Sequence, residues 1–250
     1  MGLVQVVGYG AFIVASAVLG VRLLRLWRQT GEVPEGVLGA SFLAGGAFGY
    51  AALFAAAYQS AAGLSPAEVH PYTLAGLLGA CSASLLIARG SALIFRPGQT
   101  WATAGVLALG AAIAVFFSAF ATWPVDDVVG RSRVLWATFM TASLSYTWST
   151  VECFQLHGLL DKRARVGLAS PLLADRARLW GLAFGSVVLM YWIPFVDYLV
   201  HDPTLAARAW VQTASSLFGL SCAGAIWLGF FPPAFYRRRF AGAPSTGPNA

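Results

Sequence analysis

Long apolar runs separated by short polar segments dominate this sequence. Each run holds about 20 mostly apolar residues, the length that a helix needs to cross the hydrocarbon core of a bilayer. The runs are continuous rather than alternating, so they predict helices and not the strands of a membrane barrel. The seven runs are Leu3–Leu26, Val37–Tyr58, Tyr72–Phe95, Ala102–Trp123, Val134–Leu156, Leu179–Val200 and Val211–Phe231. We therefore predict an all-α integral membrane bundle of seven transmembrane helices.

The segments between the runs are short and carry turn residues. Gly31 and Pro34 follow the first run, and Pro97 and Gly98 follow the third, as is typical of chain reversals. The stretch directly after the fifth run is the exception, because Gly158 is the only Gly or Pro in the ten residues that follow it. None of the connections is long enough to hold a folded soluble domain. The sequence thus indicates one transmembrane domain over residues 1–236 and a basic, disordered cytoplasmic tail over residues 237–250.

The distribution of basic residues predicts how the helices are oriented. Cytoplasmic loops of membrane proteins are enriched in Lys and Arg. One set of loops and helix ends holds three basic residues, Arg131, Arg133 and Arg208. The alternate set holds thirteen, namely Arg22, Arg25, Arg28, Arg89, Arg96, Lys162, Arg163, Arg165, Arg176, Arg178, Arg237, Arg238 and Arg239. The alternation persists across all seven helices, which predicts an N-terminus outside and a C-terminus in the cytoplasm.

Composition agrees with a membrane location. Charged residues make up 10% of the 250-residue chain and hydrophobic residues 58%, with a mean hydropathy of +0.69, whereas soluble domains average about 25% charged residues. The net charge of +6 sits at the ends of the apolar runs, so we interpret it as a topology signal and not as a nucleic-acid surface. The expected partner is the lipid bilayer; other membrane subunits or further copies of the chain remain open.

The membrane itself is inferred from residue usage. Lys162 is the only lysine among 16 basic residues, and the chain is rich in Ala and Gly. This usage is typical of a GC-rich bacterial genome, so we expect the protein in the cell membrane, which in a bacterium is the inner or plasma membrane.

The fifth run carries the most polar pattern. Thr138, Thr141, Ser145, Ser149 and Glu152 recur at intervals of three or four residues, so on a helix they fall within an arc of roughly 80°. A polar stripe of this kind should face protein or water and not lipid. It predicts either a solute path along the fifth helix or hydrogen-bonded packing against a neighbouring helix.

Glu152 is predicted to lie inside the membrane near its cytoplasmic face, where an unpaired carboxylate is costly. Arg22 and Arg89 lie at a similar depth on the first and third helices. We predict an ion pair between Arg89 and Glu152, with Arg22 as the next candidate. The other interpretation is that the arginine side chains extend to the lipid headgroups.

The sixth run predicts a pocket near its outer end. Pro194 should loosen the helix, because proline removes one backbone hydrogen bond. Tyr191, Trp192 and Asp197 lie beside it, and a kink next to aromatic residues can form a binding pocket. The alternative is a tolerated membrane proline flanked by interfacial aromatic residues.

Several functions are argued against by what the sequence lacks. The last run contains no lysine for a retinal Schiff base, and no intramembrane histidine pair is present for haem. His70, His157 and His201 have no local metal-ligand spacing, and Cys81, Cys153 and Cys222 form no Cys-x-x-Cys pair. No acid, base and nucleophile converge, so we expect no enzyme, catalytic residue, metal or cofactor. No family resemblance is evident.

The leading functional expectation is a small-solute or ion transporter, or a channel-like protein, with a polar path along the fifth helix. A sensor or receptor subunit that signals through a cytoplasmic partner is the first alternative. An accessory subunit of a larger membrane complex is the second. The polar stripe favours transport, and the lack of a soluble output domain weighs against a self-sufficient sensor.

Overall fold

The computed structural model describes residues 3–201 and 209–241, and over these residues the chain is helical with no strand. The helices are α1 (Leu3–Thr30), α2 (Val33–Ala61), α3 (Pro66–Phe95), α4 (Thr100–Thr122), α5 (Val128–Arg165), α6 (Pro171–Val200), α7 (Ala209–Phe230) and α8 (Ala234–Ala241). The middle of α2, Phe42–Gly49, is wound as a π-helix. The prediction of an all-α fold is confirmed.

Six helices are long and apolar enough to cross a membrane: α1 to α4, α6 and α7. The protein is therefore a multi-pass membrane protein. The fifth predicted span corresponds to α5, which is the longest described helix at 38 residues. Its mean hydropathy is too low for it to be counted with the other six. The reason is its composition, since its Ser, Thr and charged residues lower the average hydropathy of the segment.

Several helices extend beyond the apolar runs that predicted them. The run Val134–Leu156 extends into α5 (Val128–Arg165), so the stretch directly after the run continues the helix and Gly158 lies inside it. Pro71, directly before the run Tyr72–Phe95, lies inside α3, whose N-terminus is a capping box at Ser65 and Glu68. The first residues of the predicted tail belong to α8, so 237–241 is helical. The predicted disorder of residues 242–250 and the basic Arg208 lie outside the described residues.

Six helices form a closed ring in which each packs on its neighbours. The order around the ring is α1, α2, α3, α5, α6, α7 and back to α1. Helix α4 stands outside the ring against α3 and α5, and few of its residues are buried. The interior is filled by side chains from the ring helices, among them Phe12, Tyr50, Tyr146, Phe184 and Met190. The α3–α5 contact is thus covered by the ring interior on one side and by α4 on the other.

Glycines allow α2 and α3 to approach closely. A Cβ atom on Gly79 of α3 would lie 2.6 Å from both the carbonyl oxygen of Ala44 and the Cα of Gly49 on α2. A Cβ atom on Gly45 would likewise come too close to Ala83 of α3, and one on Gly46 would come too close to Ser16 of α1. Small residues of this kind let membrane helices pack backbone to backbone. The π-helical part of α2 is therefore the segment through which α1, α2 and α3 are joined.

Four connections turn at a glycine in the left-handed backbone region. Gly31, Gly63, Gly98 and Gly167 have φ between 72° and 88°, which residues with a Cβ rarely adopt. They follow α1, α2, α3 and α5 and allow each helix to end in a tight reversal. Gly31 and Gly98 are among the turn residues from which the helix boundaries were predicted, whereas Gly63 and Gly167 were not.

We expect Gly79→Ala to destabilise the protein by about 1–3 kcal/mol, because the added methyl overpacks a backbone contact. The measurement is thermal unfolding of the purified protein in detergent. Gly105→Ala on α4 is the matched control, since its Cβ would meet no atom within 4 Å. Equal stability of the two variants would contradict the close α2–α3 contact.

Candidate functional site

The polar stripe of α5 faces α3. The Ser145 hydroxyl lies 2.7 Å from that of Ser84, and the Ser149 hydroxyl lies 2.6 Å from that of Ser91. All four side chains are buried. We refer to the interface formed by Ser84, Ser91 and Arg96 with Ser145, Ser149 and Glu152 as the α3–α5 seam.

Backbone carbonyls complete the hydrogen bonding of the seam hydroxyls. Ser84 and Ser145 both lie within hydrogen-bond distance of the Ala142 carbonyl, at 2.7 and 2.8 Å. Each hydroxyl has one proton, so one of the two donates to the carbonyl while accepting from the other. The Ser149 hydroxyl can likewise donate either to the Ser145 carbonyl, at 2.8 Å, or to the Ser91 hydroxyl. The hydroxyls are therefore satisfied between the helices without water.

The two threonines of the predicted stripe behave differently from the serines. The Thr138 hydroxyl donates to the Val134 carbonyl at 2.8 Å, and the Thr141 hydroxyl donates to the Ala137 carbonyl at 2.8 Å. Both bonds stay within α5. Thr138 is fully buried and Thr141 is half-buried. The stripe thus divides into a locally satisfied half and the seam.

An ion pair closes one end of the seam. Nε of Arg96 donates to Oε1 of Glu152 at 2.8 Å, and the Trp148 indole donates to the same oxygen at 3.0 Å. The Arg96 side chain is 33% exposed and the Glu152 side chain 8%, so the pair spans the boundary of the protein interior. Gln155 accepts a second, longer bond from Arg96 at 3.4 Å.

The partner of Glu152 is Arg96 and not the predicted Arg89. Arg89 is two residues from Ser91 and so points about 200° away from it around α3, and its side chain is exposed. Arg96 follows the last residue of α3, with φ −135° and ψ 50°, and this non-helical backbone turns its side chain to Glu152. Arg22 is also exposed, and its guanidinium lies 4.2 Å from the ring centre of Phe231.

The structure places the residues of the predicted pocket on α6 in different surroundings. Tyr191 is buried and stacks on Phe139 at 5.4 Å, whereas Trp192 is exposed. Pro194 is accommodated inside α6, which continues to Val200. Asp197 lies 3.1 Å from Nδ1 of His201. Successive residues of a helix point about 100° apart, which explains the separation.

A cavity that the sequence did not predict lies at the opposite end of the seam from Glu152. It has a volume of about 350 Å³ and is formed by the end of α2, the first turns of α3 and α5, and the end of α4. Arg131 donates to Nδ1 of His70, and the Arg131 guanidinium lies 4.7 Å from the ring centre of Phe120. The lining residues are Ser60, Leu64, Pro66, Val69, His70, Thr73, Phe120, Val125, Val128, Arg131, Ser132 and Leu135. We call it the His70 cavity.

The cavity could not be found from local sequence spacing. His70 and Arg131 are 61 residues apart and meet because α3 and α5 are neighbours. Among the sequence signals, only the position of Arg131 in a sparsely basic set of loops marked it as unusual.

A second group of polar atoms lies at the centre of the ring. Tyr50, Tyr146 and Tyr191 are all buried and come from α2, α5 and α6. Tyr50 and Tyr146 border an enclosed space of about 30 Å³ together with Ser41 and Cys222. The sequence predicted Tyr191 as part of an outer pocket, whereas Tyr50 and Tyr146 gave no sequence signal, because an aromatic residue in a membrane helix usually contributes to packing.

Metal-binding chemistry finds no support in the part of the chain that the structure describes. No group of three or more His, Cys, Asp or Glu side chains converges there. Cys81, Cys153 and Cys222 are free and buried in separate positions. The chemistry available at the seam and the His70 cavity is hydrogen bonding by hydroxyls, the Arg96–Glu152 ion pair and the arginine–histidine contact.

No family model matches the chain, and no curated protein or solved structure matches it either. Its function is therefore argued from the seam and the cavity themselves.

We expect Glu152→Gln to lower the stability of the protein in detergent by about 1–3 kcal/mol, because it leaves Arg96 without its carboxylate. A second change, Arg96→Gln, should recover part of that loss, whereas Arg89→Gln should not. The measurement is a double-mutant cycle of thermal stability. Strict additivity of Glu152→Gln and Arg96→Gln would mean that the two groups do not interact.

Proposed function

We propose that the protein crosses the membrane seven times, with α5 as the additional span and the N-terminus outside, and that it acts as a small-solute transporter or channel-like protein. The observation that carries the transport proposal is that a cavity, a polar seam and an ion pair follow one another along the same two helices, α3 and α5. The seam is then the closed form of the solute path.

The geometry of α5 supports its assignment as a span. Arg131 and Glu152 are separated by about 30 Å along the helix axis, which equals the thickness of the hydrocarbon core. The seam hydroxyls face α3, while Leu144, Val151 and Phe154 are exposed on the other side. The low average hydropathy of α5 thus comes from side chains that have protein partners.

The orientation rests on the charge distribution. The loops and helix ends that hold three basic residues alternate strictly along the chain with those that hold thirteen. This distribution favours an external His70 cavity and a cytoplasmic Glu152–Arg96 pair. In this orientation the cavity is a vestibule open to the outside, and the ion pair is the inner closure.

The path would be blocked at two levels. Below the cavity lies an apolar plug of buried side chains: Leu77, Cys81, Ile113, Phe120 and Ala142. The hydroxyl pairs and the ion pair follow toward the cytoplasm. Small displacements of α5 against α3 would break these contacts together, and the freed hydroxyls would be available to a passing polar solute.

A sensor is the second candidate, because α5 runs without interruption from the His70 cavity to Arg165. A ligand that shifts the outer end of this helix would shift its cytoplasmic end as well. Transport of solute into vesicles by the purified protein is the property that separates the two candidates.

We expect cysteine accessibility to reveal the path. Ser132→Cys, in the cavity, should react with an impermeant thiol reagent from outside in every background. Ser149→Cys should react from the cytoplasmic side roughly tenfold faster when Arg96→Gln removes the closure, which corresponds to a population shift of about 1.4 kcal/mol.

The matched control for that measurement is Ser143→Cys, since Ser143 is buried on α5 but bonds to its own helix. An equal gain at Ser143 would indicate general loosening, and no gain at Ser149 would refute the path. The native cysteines are buried and give a low background.

We expect Asp126→Cys to be labelled only from outside and a tag after Ala250 to be accessible only from the cytoplasm. Asp126 is chosen because it is exposed and leaves intact the N-cap of α5 at Asp127, whose pKa is held below its usual range by the Gly130 amide. Labelling of Asp126→Cys from the cytoplasm would overturn the orientation.

A further inference from the structure

The charges that face the His70 cavity favour an anion. Arg131 lines the cavity. Within residues 3–201 and 209–241, the ion pairs are Arg96–Glu152, Arg165–Asp161, Arg178–Asp175 and His201–Asp197. Arg131 belongs to none of them, so a full positive charge borders the cavity without a carboxylate to neutralise it.

The histidine contact fixes the position of the arginine. Arg131 donates to Nδ1 of His70, so Nδ1 is the acceptor and the ring proton lies on Nε2. The imidazole is neutral in this arrangement, because a protonated ring would have no lone pair for the guanidinium. The remaining N–H groups of Arg131 are then available to a carboxylate, a pairing for which the planar guanidinium is well suited.

Neighbouring carboxylates are engaged elsewhere. Oε2 of Glu68 accepts from the Ser65 amide and hydroxyl at 2.9 and 2.7 Å. The Asp127 carboxylate accepts from the Gly130 amide and the Trp123 indole, both at 2.9 Å. These acids cap the first turns of α3 and α5, and neither lines the cavity. They weaken the positive potential of the site without occupying its donors.

The walls of the cavity indicate what the anion carries. Leu64, Pro66, Val69, Val128 and Leu135 are apolar, and the volume of about 350 Å³ is that of a site for a small organic molecule. An inorganic anion would keep little of its hydration against such walls. An organic anion with a compact apolar body would bury that body against them and direct its charge to Arg131.

We propose that the His70 cavity binds small organic carboxylates with an apolar body, held by Arg131, whose guanidinium is positioned by His70. As a statement about the transported solute, this inference rests on the proposed function and names its substrate class. As a statement about binding, it applies to the cavity whether or not the bound molecule crosses the membrane.

The experiment measures binding of benzoate to the purified full-length protein by isothermal titration calorimetry, with benzamide and inorganic phosphate as comparison probes. Benzoate should bind, and both other probes should bind at least about tenfold more weakly. Benzamide loses the charge-assisted hydrogen bond to Arg131, and phosphate loses the contact of an apolar body with the walls. Equal binding of benzamide, stronger binding of phosphate, or no binding of benzoate would overturn the inference.

Two variant pairs locate the site. Arg131→Gln should weaken benzoate binding by about tenfold or more, whereas Arg133→Gln, an exposed arginine two residues further along α5, should not. Val128→Trp should block binding by filling the cavity without touching the charge, and Val129→Trp is its control, since Val129 is exposed and is not a lining residue. Loss of binding in both controls, or retention in both test variants, would also overturn it.

Uptake of labelled benzoate into vesicles containing the protein separates this inference from the proposed function. Binding without uptake leaves the carboxylate site standing and refutes transport of this class. Uptake of another solute without benzoate binding leaves transport standing and refutes the carboxylate site.

Discussion

The polar side chains of α5 have to find partners within the protein, because a hydrocarbon environment offers none. Ser145 and Ser149 meet Ser84 and Ser91, and Glu152 meets Arg96. These contacts fix the rotation of α5 and its register against α3. They explain how the least apolar long helix of the chain is packed inside a ring of strongly apolar ones.

The other helices of the bundle hold α3 and α5 in place. Glycines on α2 and α3 bring these helices into backbone contact, and α1 joins them at the π-helical segment Phe42–Gly49. Helices α6 and α7 complete the ring, and α4 covers the outer side of α3 and α5. The seam therefore lies between two well-supported helices, where hydrogen bonds are shielded from water and are stronger for that reason.

The same contacts that stabilise the seam would oppose its opening. A hydrogen bond between neutral hydroxyls contributes about 1 kcal/mol, and one to a charged group about 1.5–3 kcal/mol. A closure made of a few such bonds is strong enough to keep a path shut and weak enough for a ligand at the His70 cavity to shift it. Transport and sensing would both require this balance, and in either case Arg131 and Glu152 stand at the two ends of the part of α5 that is proposed to span the membrane.

The sequence by itself determined the helical class and the membrane environment, because apolar length and turn residues are local properties that need no knowledge of contacts. It also identified the polar face of α5, since Ser145, Ser149 and Glu152 share a side of any helix that contains them. The partner of Glu152 was decided by tertiary structure. Arg89 has the wrong rotation about α3, and because Ser91 meets Ser149 it lies more than one helical turn before the level of Glu152. Arg96 reaches the carboxylate from a backbone that has left the helix. The His70 cavity and the convergence of Tyr50, Tyr146 and Tyr191 could likewise not be predicted from the sequence, since they join residues from helices far apart in the chain. Depth along a helix axis is encoded by position in the sequence, whereas the direction in which helices face one another depends on how the whole bundle packs.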